Sequence, residues 1–527
     1  MIGHRLLKGY SIRKLSLEIL KELWLPYLLA SILILYGFGW GLPDNPYQDK
    51  SFQHDEGAAV WAVTQISFPG FNPQWLPCGT ALFYQVYLLK TVFTGGGLVH
   101  ISNFWIYVIG RLVVYASAMG AITLIFLLGR KLFNTWTGRL AAIILAVLPG
   151  FVINSHYFKT DVPMTFWSLA AMLVAYLLIS SGKSAYVILM GLLVGYSASV
   201  KYNAVVLFPA GLVAIAMVDQ KLNKWRLGLA YLACVAAGFI FGEPYAVLNV
   251  SKLLHEIQWA ASINKAGNPY YLARPPAWID YPVNVLPFSL TLPILMVAAF
   301  GLIWAAIKEG KRLLPVWAFL LFYYALLGMD NYRIVRYTVP LLPFAALFVA
   351  YLIKVLRDIR IVQTIAIPGV CAIIIYAFLF SLSYVQVMAQ TDPRIQAMFW
   401  IEKNILKDLP VPFIPAHYLN LPQIQLVGYK KLEVGHSIKT LQKATSPYLI
   451  LSEFGTRFLQ EAIDFYPQQK EFFAYVGENY AEVVHFENSQ KLLGIDSKQS
   501  RKLPQDWLHP NPRITILKRR DVNTTSR

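Results

Sequence analysis

Charge is scarce in this chain, and negative charge is scarcest. Only 14% of its 527 residues are charged, 28 Asp or Glu against 46 Lys or Arg, while 57% are hydrophobic. Soluble domains carry about 25% charged residues, so this scarcity excludes an ordinary soluble protein and implies that most of the chain lies in a membrane. Cysteine is also rare. Of Cys78, Cys234 and Cys371, the last two fall inside apolar runs, so no disulfide framework is implied. The N-terminus does not read as a secretory signal. Arg5, Lys8, Arg13, Lys14 and Lys21 precede an apolar run too long for a signal core, with no small-residue cleavage site after it. That run reads as a retained anchor. No internal repeat is evident, which argues against an inverted-repeat transporter.

What is present in abundance is apolar sequence of membrane-spanning length. A span needs about 20 apolar residues. Eleven candidates follow: 23–42, 103–128, 137–153, 162–180, 186–200, 204–218, 227–248, 285–307, 314–327, 337–353 and 361–384. With a cytoplasmic N-terminus, the links on that side hold Arg130, Lys131 and Arg139; Lys183; Lys221, Lys224 and Arg226; Lys308, Lys311 and Arg312; and Lys354, Arg357 and Arg360. Every one is basic, as cytoplasmic loops are expected to be. The other face then receives loops 43–102, 154–161, 249–284 and 329–336, together with everything after Tyr384. The net charge of +18 supports this division. Residues 391–527 hold 18 basic and 14 acidic residues, which leaves 28 and 14 for residues 1–390. The excess belongs to the membrane part, where it punctuates apolar runs and does not line one face, so nucleic-acid binding is not implied.

The fold class expected is therefore a polytopic α-helical membrane protein of about eleven transmembrane helices with a C-terminal soluble α/β domain. The expected division is 1–390 for the membrane domain and 391–527 for the extracytoplasmic domain. Roughly 137 residues suffice for an independent domain. Within the tail, 401–405 reads as helix, 448–451 as a buried strand and 513–517 as an edge strand. It carries no metal-ligand spacing, nucleophile elbow or Gly-rich phosphate loop.

Chemistry is sought where charge persists despite this background. His54-Asp55-Glu56 opens the first long polar loop, ahead of a short helical stretch, Gly57-Ala58-Ala59-Val60-Trp61-Ala62-Val63. Both acids would sit at that helix's N-terminus, where the dipole favours negative charge. They can equally serve as a general base or hold a divalent ion. Asn154-Ser155-His156-Tyr157-Phe158-Lys159-Thr160-Asp161 brings a second carboxylate to the same face. Asp161 precedes Pro163 by two residues and reads as a helix cap or as a partner in chemistry. Lys201, Arg333 and Arg336 sit at span ends on the face where positive charge is disfavoured; an anionic partner such as a lipid phosphate supplies one reason to keep them there, and snorkelling at the interface is the other reading. Loop 249–284 is long, aromatic and proline-rich, with Asn268-Pro269-Tyr270-Tyr271 and Arg274-Pro275-Pro276. It reads as a lid or as a surface crossover.

In their order, Asp55-Glu56, Thr160-Asp161-Val162-Pro163, Lys201-Tyr202 and Arg336-Tyr337-Thr338-Val339-Pro340-Leu341-Leu342-Pro343 resemble the motifs of the polyprenyl-phosphate-sugar-dependent glycosyltransferases of GT-C type. Among these the chain is most similar to the protein O-mannosyltransferase and aminoarabinose transferase superfamily, glycosyltransferase family 39. Asp392-Pro393-Arg394, with Trp400-Ile401 and Asn404, resembles the opening of the soluble tail in bacterial members. The resemblance covers roughly residues 20–405; the order and spacing of the motifs are its specific part.

The resemblance implies a GT-C fold and an inverting hexosyl- or pentosyltransferase of a bacterial inner membrane, acting on the extracytoplasmic face. Its partners would be a polyprenyl-phosphate-linked sugar donor, a lipid, glycan or protein acceptor, and the bilayer. By position, Asp55 is the implied catalytic carboxylate, with Glu56 and Asp161 as acidic partners. Arg336, Lys201 and Arg333 are candidates for the donor phosphate. Family members differ in their need for a divalent metal; Glu56, Asp161 and His156 are the side chains that would hold one. The rival reading is a transporter or flippase of a lipid-linked sugar, which would place ionisable residues inside spans.

Overall fold

A computed structural model describes residues 12–520 apart from 45–47, 49, 97–98, 100, 219–222, 268–270, 272–273, 415–425, 427, 493–494 and 497–503. Arg5, Lys8, Lys221 and the segment Asn268-Pro269-Tyr270 therefore lie outside the described residues. The chain divides into two compact units. One comprises Met1–Leu35, Ala59–Ala266 and Pro276–Leu382; the other comprises Tyr36–Ala58, Gly267–Pro275 and Ser383–Arg527.

The first unit is helical. Among the described residues six helices are long and apolar enough to cross a membrane, and five shorter apolar helices accompany them. Four of the shorter ones, Thr135–Val147, Ala185–Val200, Tyr202–Ala216 and Leu314–Gly328, match runs read from hydropathy. The fifth, Ala81–Phe93, lies in the loop expected at 43–102 and was not among the eleven candidates. Several expected limits also move, each for a local reason. The first helix is Ile12–Leu35, not 23–42, because Gly37 and Gly41 turn the chain with φ of 83° and 67°. The third ends at Val147, where Leu148 becomes extended ahead of Pro149. The seventh stops at Gly242, one residue before Glu243-Pro244. The eighth is Leu292–Glu309, since Thr291 takes a φ of 69° beside Pro293. The tenth begins as a 3-10 turn, Val335–Leu341, and continues as Leu342–Arg357.

Close packing in this unit depends on missing side chains. The helices Ala185–Val200 and Lys224–Gly242 lie against each other. A Cβ on Gly195 would strike the carbonyl of Val235, and one on Gly238 the carbonyl of Leu192. Small residues four apart, Gly191 and Gly195, let the backbones approach as membrane helices do when dispersion drives their association.

The second unit holds a five-stranded sheet. Its strands run in the spatial order Lys431–Glu433, Val411–Phe413, Tyr448–Ser452, Ile514–Arg519 and Tyr480–Phe486. The first three are parallel; Ile514–Arg519 runs antiparallel to both its neighbours. The strand read as an edge at 513–517 is thus interior. Its alternation does not mark a wet face, because both faces are covered. Ile450, Ile514 and Ile516 pack to one side with Ala397, Met398 and Ile401 of the helix Pro393–Asn404. Leu449 and Leu517 pack to the other with Phe472 and Val476 of the helix Pro467–Asn479. Period-two alternation distributes the two cores across the sheet. The segment Tyr36–Ala58, which carries Asp55 and Glu56, belongs to this unit by its packing, although 353 residues separate Trp40 from a C-terminal residue such as Arg394 to which it is near.

Candidate functional site

Asp55 and Glu56 occupy the first turn of the helix His54–Gln65, as the sequence leads one to expect. Their environments differ. Glu56 is fully buried and accepts a 2.6 Å hydrogen bond from Ser51 Oγ, whereas Asp55 is half-buried. The turn ahead of them is closed by its own side chains. The Gln53 N–H donates to Ser51 Oγ at 3.0 Å, and the Asp55 N–H donates to Gln53 Oε1 at 2.7 Å. One carboxylate is therefore held within the protein and the other is accessible. That division suits an accessible base beside an acid that orients it.

In the helical unit, Asp161 is the first residue of the helix Asp161–Ser181, and Thr160 occupies the cap position. The cap reading of Asp161 is corrected accordingly, because its carboxylate turns elsewhere. Lys201 Nζ lies 2.5 Å from Asp161 Oδ1, and both side chains are largely buried. Lys201 also sits over the ring of Tyr337, 4.8 Å from its centroid, and the Arg336 guanidinium lies 5.5 Å from the same centroid. Three separate motifs thus meet: the start of one helix, the end of Ala185–Val200 and the 3-10 turn Val335–Leu341. Aromatic faces favour cations, so Tyr337 gathers two positive groups beside one carboxylate.

Arg333 is placed differently. It is 6% exposed, and its Nε is 3.9 Å from Asp280 Oδ2, so its charge is compensated within the unit. Its φ of 47° is left-handed, which a non-glycine residue tolerates only when other contacts impose it. Asp330 imposes it. This carboxylate accepts the N–H groups of Arg333 at 2.9 Å and Tyr332 at 3.1 Å, the Tyr281 hydroxyl at 2.6 Å and Asn264 Nδ2 at 2.9 Å. Asp330 was not singled out from sequence, although an Asp three residues before Arg333 and six before Arg336 is the signal that could have found it.

His156 is wholly buried, with Nδ1 2.9 Å from the Val152 carbonyl. That nitrogen carries the donated hydrogen in the neutral ring. Among the described residues no three His, Cys, Asp or Glu side chains gather in a way that could hold a metal ion.

Two further groups escaped the sequence reading. Arg111 is fully buried inside the long helix Asn103–Leu132, far from the basic residues Arg130 and Lys131 of its last turn. Glu243 is also fully buried. Its Oε2 accepts a 2.9 Å hydrogen bond from Thr80 Oγ1 and lies 3.2 Å from the Tyr202 hydroxyl. The same hydroxyl donates to the Leu76 carbonyl at 2.7 Å. The adjacent residues Lys201 and Tyr202 thus tie one turn to Asp161 and to the 76–80 loop.

The fold has counterparts among solved structures. The chain resembles ArnT from Cupriavidus metallidurans bound to undecaprenyl phosphate with a TM-score of 0.52 and 9% identity, over 96% of this chain and 98% of that one. The apo state of the same protein gives 0.50 and 10%, over 93% and 97%. The oligosaccharyltransferase AglB from Archaeoglobus fulgidus, in complex with an inhibitory peptide and a dolichol-phosphate, gives 0.49 and 13%, over 94% and 78%. Within the chain, residues 99–247 match the family model of the dolichyl-phosphate-mannose-protein mannosyltransferases. That stretch runs from the buried Arg111 past Asp161 and Lys201 to Glu243. No curated protein sequence matches the chain significantly. The chain is an integral membrane protein with this fold and a small α/β sheet unit.

Proposed function

We propose that this protein is a membrane glycosyltransferase that moves one sugar from a polyprenyl-phosphate donor to a lipid, glycan or protein hydroxyl with inversion. The observation that carries the reading is the group formed by Asp161, Lys201, Tyr337 and Arg336, in which three motifs distant in sequence converge. It is supported by the family match over 99–247 and by the likeness in fold to ArnT, whose structure holds undecaprenyl phosphate. The basic cytoplasmic links support an N-terminus inside a bacterial inner membrane. The acidic doublet, Asp161 and the 391–527 domain then face outward.

In this reading Asp55 takes the proton of the acceptor hydroxyl as its oxygen attacks the anomeric carbon. The sugar–phosphate bond breaks, and the polyprenyl phosphate leaves with the bonding electrons. Glu56, held by Ser51, orients Asp55 and the acceptor. Arg336 meets the phosphate through its planar fork, and Lys201 supplies a second positive charge while paired with Asp161. Arg333, buried beside Asp280, shapes the turn before Arg336.

The test is Asp55→Asn in the full-length protein. Transfer of label from a polyprenyl-phosphate sugar should fall by several orders of magnitude, with folding and donor binding retained. Near-normal turnover would refute the assignment. Arg111, an ionisable group within a span, is the observation that favours a flippase instead. A flippase would move the labelled donor across vesicles without releasing its sugar.

A further inference from the structure

The opening of the C-terminal segment, Asp392-Pro393-Arg394, touches none of the groups in the proposed reaction, yet it contains an ion pair that is almost wholly buried. Arg394 is 1% exposed and Asp392 4%. Arg394 Nε and Nη2 donate to Asp392 Oδ1 and Oδ2, each at 2.7 Å, and Nη2 also donates to the His509 carbonyl at 2.7 Å. Asp392 meanwhile caps the helix Pro393–Asn404, accepting the Arg394 N–H at 2.9 Å.

Two aromatic residues from the N-terminal part of the same unit complete the arrangement. The guanidinium lies 3.9 Å from the centroid of Phe52 and 5.9 Å from that of Trp40. Trp40 Nε1 donates to Asp392 Oδ2 at 3.1 Å. Phe52 is 2% exposed and Trp40 4%. A desolvated ion pair is weak evidence for stability, since apolar residues of similar volume often serve as well. Its particular property is geometric. The fork fixes the plane of the guanidinium and, with it, where the cation sits over the Phe52 ring.

Phe52 stands inside the short network that shapes the acidic doublet. Its neighbour Ser51 donates to Glu56, and its other neighbour Gln53 accepts the Asp55 N–H through its side chain and the Glu56 N–H through its carbonyl, at 2.7 and 3.1 Å. A shift of the Phe52 ring displaces both neighbours and, through them, both acids. We propose that Arg394 is a positioning residue for Asp55 and Glu56, acting through Phe52, and that the C-terminal domain contributes to the reaction by supplying this clamp. The proposal rests on the reading of Asp55 as the base. Misplacing a reacting group by about 1 Å can cost on the order of 100-fold in rate, so the clamp is read in turnover and not in donor affinity.

The experiment compares Arg394→Lys, which keeps the charge and loses the fork, and Phe52→Leu, which keeps apolar bulk and loses the ring face. Phe52→Tyr restores a ring, and Ile450→Val weakens the sheet core away from the clamp. Full-length proteins in lipid nanodiscs are given undecaprenyl-phosphate-linked mannose, and transfer of label into membrane lipids and glycans is followed. Hydrogen exchange is measured over residues 51–56. Arg394→Lys and Phe52→Leu should lower kcat by roughly ten- to 100-fold at unchanged donor KM and speed exchange at Asp55 and Glu56. Phe52→Tyr should recover both, and Ile450→Val should alter neither per folded molecule. Unchanged turnover in Arg394→Lys and Phe52→Leu, with Asp55→Asn inactive, overturns the clamp and spares the catalytic reading. An active Asp55→Asn overturns the catalytic reading and the clamp's purpose with it. A loss equal in Ile450→Val reduces the clamp to a general structural role and overturns the proposal.

Discussion

Lys201 and Asp161, 40 residues apart in sequence, form an ion pair whose side chains are only 12% and 4% exposed. Each motif suggests a separate role when read alone. Together they form one unit, and the cation cannot be altered without changing the environment of the acid.

Removing one member leaves the other charged and desolvated, which costs about 3–5 kcal/mol for a buried pair. Lys201→Met and Asp161→Asn should each lower the thermal unfolding temperature in detergent, and the double variant should lose less than the sum. Strictly additive losses would show that the two do not depend on each other.

Arg336 is expected to be irreplaceable by lysine. In the proposed role its fork would place two parallel hydrogen bonds on a phosphate, whereas an ammonium is a point charge. One lost bond to a charged group is worth about 1.5–3 kcal/mol. Arg336→Lys should therefore weaken undecaprenyl phosphate binding by roughly tenfold or more. Native mass spectrometry of the protein–lipid complex measures this, and equal affinity would remove Arg336 from the phosphate.

Ser51→Ala deletes the 2.6 Å hydrogen bond to the buried carboxylate of Glu56. Turnover should fall while donor binding persists, since the bond orients an acid and holds no lipid. Reduced donor binding with unchanged turnover of bound donor would reverse that assignment.

Gly195 and Gly228 should respond in opposite ways. A side chain at Gly195 meets the Val235 backbone, whereas a Cβ at Gly228 meets nothing within 4 Å. Gly195→Leu should abolish folded expression. Gly228→Ala should be neutral or stabilise by about 0.5–1 kcal/mol, the usual gain of alanine over glycine in a helix. Size-exclusion profiles and thermal unfolding distinguish the two.

Hydropathy located most of the apolar helices of the first unit, because a run of about 20 apolar residues has few other uses, but it missed Val250–Ala266, which lies in the stretch read as loop 249–284. It failed at Ala81–Phe93, which is only 13 residues long and carries Lys90 in its last turn. Limits failed where backbone, not hydropathy, decides: Gly37 and Gly41 end the first helix early, and Pro244 follows the end of the seventh. In the second unit, alternation at 513–517 correctly indicated a strand, but alternation alone does not tell whether the polar face is covered. The acids Asp55, Glu56 and Asp161 were legible because charge is rare in this chain. Arg111 was equally rare and equally visible, but no neighbouring motif drew notice to it.

The amino-acid sequence by itself determined that the chain enters a membrane, roughly where most of its apolar helices run, and which few charged residues need a reason to exist. Those properties are local; they follow from the transfer cost of each side chain and from the length of apolar runs. Only the tertiary structure decided that Lys201 serves Asp161, that Tyr337 gathers Lys201 and Arg336, that Arg333 turns to Asp280, and that Arg394 stacks on Phe52. Ion pairs and stacked rings join residues tens to hundreds of positions apart. Their partners are chosen by how helices and strands pack, which neither hydropathy nor short motifs encode.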